Sequence, residues 1–209
     1  MNLTDLLVPT YRNMLGTLRG LLDKAEAQFG GARAEALLSA RLAPDMFPLA
    51  TQIRFACVQA QEAPLRLMGR PLEPLDPLLE EGRNAGEQRG TLAGARARID
   101  EALAFLDALG AGALDAAPAE DPLVLSLPMG LTFDLTREQF ARDWALCQFY
   151  FHVMAAYAIL RKEGVEIGKA DYVPHMFAYL RGPAPTPIAP DARAAPSTDK
   201  NNGRSIAPS

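Results

Sequence analysis

Few side chains of this sequence offer catalytic or metal-binding chemistry, because its 209 residues include only two histidines and two cysteines. His152 follows Gln148 by four positions in an apolar stretch, so both side chains project from one face of a predicted helix. Two histidines at this spacing commonly supply two zinc ligands, but the neutral amide oxygen of glutamine is a poor ligand for zinc or nickel. With small residues beside it, the pair favours the close approach of another helix with His152 hydrogen-bonded inside, and a polar pocket is the alternative. No bound metal and no catalytic residue are predicted in either case.

Other motifs of catalytic sites are missing from the sequence. Cys57 and Cys147 lie in apolar helical patterns outside any C-x-x-C motif, which favours buried free thiols over redox chemistry. No G-x-S-x-G sequence marks a nucleophilic serine. Four glycines recur at four-residue intervals, but in a charged stretch that follows no strand, which is more typical of a flexible connection than of a phosphate-binding loop. These are Gly82, Gly86, Gly90 and Gly94.

The composition is that of a soluble globular domain, with 49% apolar and 22% charged residues. A net charge of −4 lacks the basic excess typical of nucleic-acid-binding proteins. No apolar run approaches the roughly 20 residues that span a bilayer. The first residues also lack the basic region and cleavage site of a signal peptide. We therefore predict a cytoplasmic protein with neither a nucleic-acid nor a membrane partner.

The first two long helices are predicted from apolar residues at three- and four-residue spacings. One covers about residues 4–29 and ends at Gly30, since glycine commonly follows the last residue of a helix. The other is predicted to begin at Pro44 and to end or bend at Ala63, because Pro64 disfavours a helical conformation in the residue before it.

Two further helices are predicted in the second half of the chain. The third covers about residues 92–109, and residues 69–94 before it are either a loop or a broken helix. The fourth begins with a capping box formed by Thr136 and Gln139, and Gly164 ends it. A four-three seam predicts which face of this helix meets the core. The seam residues are Phe140, Trp144, Cys147, Phe151, Met154 and Ala158.

A β-hairpin is predicted before the fourth helix, because apolar residues alternate with a period of two on both sides of Gly130. The alternating residues are Leu123, Leu125, Leu127, Leu131, Phe133 and Leu135. From residue 182 onward the chain is rich in Pro and Ala and lacks aromatic residues, which predicts a disordered tail. The predicted organisation is thus a helical domain at 1–181 and a tail at 182–209.

Three motifs resemble the DinB-like four-helix-bundle superfamily. They are Arg41-Leu-Ala-Pro-Asp-Met-Phe-Pro-Leu49, Leu125-Ser-Leu-Pro-Met-Gly130, and Phe149-Tyr-Phe-His152 continuing to Leu160-Arg161-x-x-Gly164-Val. Together they are similar to a branch of uncharacterised bacterial proteins known as a domain of unknown function, over about residues 3–172. The resemblance implies an all-α, up-down-down-up four-helix bundle with a short β-hairpin, frequently a homodimer.

The resemblance also implies where a metal would bind. In metal-binding relatives, one histidine of the second helix and two of the last hold a divalent metal, and some are thiol-dependent transferases or isomerases. His152 matches the second histidine of the last helix, Gln148 the first, and the remaining ligand falls near Thr51 or Gln52. One ligand of three is retained, so Gln52, Gln148 and His152 are predicted to form a candidate pocket rather than a metal site.

Three hypotheses about function follow. The favoured one is a non-catalytic or metal-independent homodimeric bundle that binds a small molecule around His152 and needs no cofactor. A zinc- or nickel-dependent thiol transferase or isomerase with an altered ligand set is the alternative. A purely structural homodimeric interaction module is the third.

Overall fold

The chain is a helical bundle in a computed structural model that describes residues 2–127 and 130–182. The long helices are α1 (Leu3–Phe29), α3 (Leu49–Leu67), α5 (Leu92–Asp107) and α7 (Leu146–Lys162). The short ones are α2 (Gly31–Ala36), α4 (Asp76–Asn84), α6 (Arg137–Gln139) and α8 (Lys169–Tyr172). The strands are β1 (Pro122–Ser126) and β2 (Thr132–Thr136). The predicted tail beyond residue 182 lies outside the described residues.

The long helices run in the predicted directions. Arg12 near the start of α1 pairs with Asp107 at the end of α5, whereas Asp23 of α1 pairs with Arg96 near the start of α5. These two helices are therefore antiparallel. None of the described helices is long and apolar enough to cross a membrane.

The last long helix lies parallel to the first. The ring of Tyr11 contacts that of Phe149, with centroids 4.7 Å apart. Further along both helices, Gln28 Nε2 donates to the carbonyl of Gly164 at 2.9 Å. With α3 packed against α5 and α7, this arrangement confirms the predicted all-α, up-down-down-up bundle.

The second long helix begins later than predicted and does not end at Ala63. It starts at Leu49 rather than Pro44, because the extended backbone of Pro48 (φ −70°, ψ 166°) sets its N-cap. It also continues through Pro64 to Leu67, where two further buried leucines join the core and offset the hydrogen bond that proline cannot donate.

The segment before α5 was predicted to be either a loop or a broken helix. It is a broken helix, and α4 is its main part. Its glycines permit close packing. A Cβ added at Gly82 would lie 2.5 Å from Cε1 of Phe55 on α3. One added at Gly90, whose φ is +71°, would lie 2.7 Å from Nη2 of Arg54. Two of the four recurring glycines, Gly82 and Gly90, thus lie where the chain closely approaches α3.

The predicted hairpin and helix start are confirmed. β1 and β2 pair antiparallel with Leu125 opposite Phe133, and the turn residues 128–129 lie outside the described part. In the capping box, the N–H of Gln139 donates to Oγ1 of Thr136 at 3.1 Å. The N–H of Thr136 donates in return to Oε1 of Gln139 at 2.8 Å.

The predicted core face of the last long helix holds for Phe140 and Trp144 but is wrong from Cys147 to Met154, because a π-helical turn (Phe140–Ala145) joins α6 to α7. One extra residue in a helical turn rotates everything after it by about 100°. As a result Cys147 is exposed rather than buried, and Phe151 and Met154 are 57% and 49% exposed. The residues that enter the core instead are Phe149, Val153, Ala156, Ile159 and Leu160.

Candidate functional site

The candidate site is a hydrogen bond between two polar side chains buried between α3 and α7. Nδ1 of His152 lies 2.9 Å from Oε1 of Gln52. The two side chains are only 8% and 1% exposed. Small residues on α7, including the fully buried Ala156, let α3 approach closely enough for this contact.

The orientation of the Gln52 amide determines the tautomer of His152. Nε2 of Gln52 donates to the carbonyl of Phe47 at 3.2 Å, so its oxygen is the atom that faces the imidazole. That oxygen only accepts, and therefore Nδ1 of His152 carries the proton and donates. The lone pair of the imidazole is consequently on Nε2, which has no hydrogen-bond partner in the described part of the chain.

Aromatic rings surround the imidazole. The rings of Phe55 and Phe151 each meet that of His152 edge to face, with centroids 5.3 Å apart in both cases. Phe47 packs against the far side of Phe55 at 5.6 Å. Burial among these groups lowers the pKa of His152 to about 4. The imidazole is therefore neutral at pH 7 and is a weak base.

The other predicted positions are not joined to this pair. Gln148 is half-buried one turn before His152, and its side chain makes no hydrogen bond within the described residues. Thr51 is fully buried, and its hydroxyl has no partner there either. Of the two α3 positions considered for a ligand, Gln52 is the one that reaches His152.

The residues at this position do not fit a divalent metal. Zinc in proteins takes three or four nitrogen, sulfur or carboxylate ligands. Here a single imidazole nitrogen is available, and the oxygen of Gln52 already accepts a hydrogen bond. Across residues 2–127 and 130–182, no three His, Cys, Asp or Glu side chains come together in a cluster that could hold a metal.

Neither thiol extends this site. Cys57 lies in the core, and burial raises its pKa to about 12, so it stays a protonated thiol and a poor nucleophile. Cys147 is exposed on the opposite side of α7 from the core.

Sequence reasoning missed Phe47 and Phe55. Phe55 follows Gln52 by three positions on one helix, and this spacing is a signal that could have revealed it. Phe47 lies outside the helix and contributes its backbone carbonyl, which has no sequence signature.

Similarity to one protein family and to one crystal structure places the chain among known proteins. A family described as a domain of unknown function (DUF1993) matches residues 3–173. The chain is also similar to a DinB family member protein from Shewanella denitrificans, whose crystal structure was determined at 1.83 Å resolution. The two are 34% identical with a TM-score of 0.66, over 88% of this chain and 96% of that one. No curated protein matches.

Proposed function

Since the chain belongs to the DUF1993 family of DinB-like domains, whose function is unknown, we propose that it is a metal-independent bundle that binds a small molecule near His152 without catalysing a reaction. The observation that carries this proposal is the hydrogen bond from His152 Nδ1 to Gln52 Oε1. This hydrogen bond occupies the amide oxygen of Gln52. Gln52 is the position on α3 from which a metal site would need its third ligand.

The protonation of His152 also argues against catalysis. An efficient general base has a pKa near the working pH, whereas the pKa of His152 is about 4. Within the described residues its hydrogen-bonding neighbour is an amide, which does not exchange a proton with it near neutral pH. The pair is therefore suited to hold its shape rather than to transfer protons.

Metal binding distinguishes this proposal from a metal-dependent transferase. The wild-type protein and a Gln52→His/Gln148→His double variant are incubated with Zn²⁺ or Ni²⁺, desalted, and analysed for metal by mass spectrometry. We expect the wild type to retain none. The double variant should retain about one ion per chain, because three imidazoles then converge as zinc sites require.

Gln61→His/Gln148→His is the matched control for this experiment. It adds the same two imidazoles, but Gln61 lies nine residues further along α3, about 13 Å away. The control should therefore retain no stoichiometric metal. Stoichiometric metal in the wild type that His152→Ala removes would overturn the proposal and favour the transferase.

A second observation favours a homodimer, which is compatible with the proposed binding role. The outer face of α7 exposes Phe151 and Met154, and the ring of Trp144 continues this face to Phe133 of the hairpin, 6.2 Å away between centroids. α7 has no charged residue from Leu146 to Leu160. We propose that a second copy of this chain covers the face.

The missing charges support a second copy of this chain as the partner. In a two-fold interface each residue near the axis meets its own equivalent, so a charged residue there would face a like charge. Sedimentation equilibrium should show a dimer for the wild type and a monomer for Phe151→Glu. Tyr179→Glu, at a site that is 78% exposed in the segment after α8, is the control and should remain dimeric. A monomeric wild type would refute the dimer.

A further inference from the structure

We propose that a surface depression lined by Arg41, Phe47, Arg83 and Glu87 binds a small organic monocarboxylate. This inference rests on the proposed function, because it supplies a position and a chemical class for the bound molecule. The depression has a volume of about 270 Å³ and lies between the segment before α3 and the end of α4. Pockets for drug-sized ligands begin at about 300 Å³, so the ligand must be small.

The two arginines of the depression form no ion pair within the described residues. Arg83 makes no ion pair or side-chain hydrogen bond within the described residues, and Arg41 meets no carboxylate there. Guanidinium groups form strong, charge-assisted hydrogen bonds to carboxylates. Seven other arginines already have a carboxylate partner. They are Arg12, Arg19, Arg54, Arg66, Arg96, Arg98 and Arg142.

Arg41 is held in place before any ligand arrives. Its Nη1 donates to the carbonyl of Met46, and its own carbonyl accepts from Nζ of Lys162 at 2.7 Å. A Cβ added at Gly86 would lie 3.1 Å from Nη2 of Arg41. The absent side chain therefore leaves room for the guanidinium, and a positioned donor binds with a smaller entropic cost than a mobile one.

The remaining lining residues indicate which anion fits. Phe47 is 49% exposed and offers an apolar surface to the body of a ligand. Glu87 adds one negative charge to the two positive charges of the arginines. The lining thus carries a net charge of about +1, which matches a monocarboxylate better than a phosphate dianion.

A ligand bound in the depression should alter the environment of the buried Gln52–His152 pair. The carbonyl of Phe47 accepts from Gln52, and Gln52 in turn accepts from His152. A ligand that displaces Phe47 therefore changes the surroundings of the imidazole. The chain has two histidines, so a His175→Gln variant is enough to assign the imidazole signals in a proton spectrum.

Benzoate is the probe for this site. The full chain is titrated in the presence of a chelator, and the imidazole C–H signal of His152 is followed by NMR. We expect a saturable shift, with benzyl alcohol, which lacks the charge, producing none. Arg83→Gln and Arg41→Gln should each raise the dissociation constant at least about tenfold, since each removes a charge-assisted hydrogen bond.

Arg70→Gln is the matched control, because Arg70 is another exposed arginine without a carboxylate partner in the described part of the chain, and lies outside the depression. It should leave the dissociation constant unchanged. No saturable shift, equal weakening by Arg70→Gln, or tighter binding of phosphate than of benzoate would each overturn the inference. The proposed function is tested by a different measurement, which is the amount of metal that the wild-type protein retains. Its failure can therefore be distinguished from failure of this inference.

Discussion

The contact between Gln52 and His152 shows how much one side chain decides at a buried position. The amide oxygen of Gln52 can accept a hydrogen bond from an imidazole N–H, which keeps His152 oriented. The same amide is a poor replacement for an imidazole as a ligand for zinc. The fold therefore accommodates this glutamine, and under the proposed function the position orients His152 instead of holding a metal.

The buried imidazole makes stability depend on pH. The pKa of His152 is about 4 in the folded protein and 6.5 for an ordinary histidine. Between these values the unfolded chain binds more protons than the folded one, so stability falls as pH decreases from 6.5 to 4. The loss should reach about 3 kcal/mol and should appear in urea unfolding measured across this interval.

His152→Gln is the control for this pH dependence, since glutamine keeps a polar group opposite Gln52 but does not titrate. Carboxylates that titrate in the same range contribute equally to both proteins. The difference between the two stability curves therefore isolates His152. Parallel curves from pH 7 to pH 4 would show that the imidazole is not buried in its neutral form.

At the scale of elements, the π-turn before α7 decides which residues form the site. It rotates α7 so that His152 faces α3, while Phe151 and Met154 face outward. π-turns within α-helices occur frequently at functional sites, which agrees with this position. The capping box before the turn establishes where the helix starts but not its rotation.

The approach of α4 to α3 gives a prediction at this scale. In Gly82→Ala, the new Cβ would lie 2.5 Å from Cε1 of Phe55, whose ring also packs against His152. We expect a loss of about 1–3 kcal/mol in the free energy of unfolding from overpacking. Thermal and urea unfolding measure this loss.

Gly20→Ala in α1 provides the comparison, because no atom lies within 4 Å of its added Cβ. It should stabilise the protein by about 0.5–1 kcal/mol, the usual gain when alanine replaces glycine inside a helix. If both variants gain stability, the close contact between α4 and α3 is not a constraint on the fold.

At the scale of the whole molecule, the proposed dimer through the outer face of α7 predicts that thermal stability depends on protein concentration. A dimer that dissociates on unfolding melts at a higher temperature as protein concentration rises. The melting temperature of the wild type should therefore increase with concentration. Phe151→Glu should remove this dependence, and Tyr179→Glu should retain it.

The melting temperature should be measured over a roughly hundredfold range of protein concentration, which is wide enough to detect mass action. A melting temperature that stays constant over this range would argue against the dimer. In that case the exposed side chains of α7 would remain in water. The internal bundle is the same under either outcome, because its core is formed by the opposite face of α7.

Several features of this protein were predictable from the sequence, because the interactions that produce them are local. The capping box joins residues three positions apart, and the hairpin and the helices follow from the periodicity of apolar residues. The DinB-like motifs identified the bundle, and His152 and Gln52 were both recognised as candidates.

Contacts between distant parts of the chain were decided only by the tertiary structure. Gln52 and His152 are 100 positions apart, and their hydrogen bond depends on the rotation that the π-turn gives to α7. The depression at Arg41 and Arg83 likewise exists only because α4 packs beside the start of α3. Periodicity records that a helix has an apolar face, but the packing of all the helices selects which face is buried.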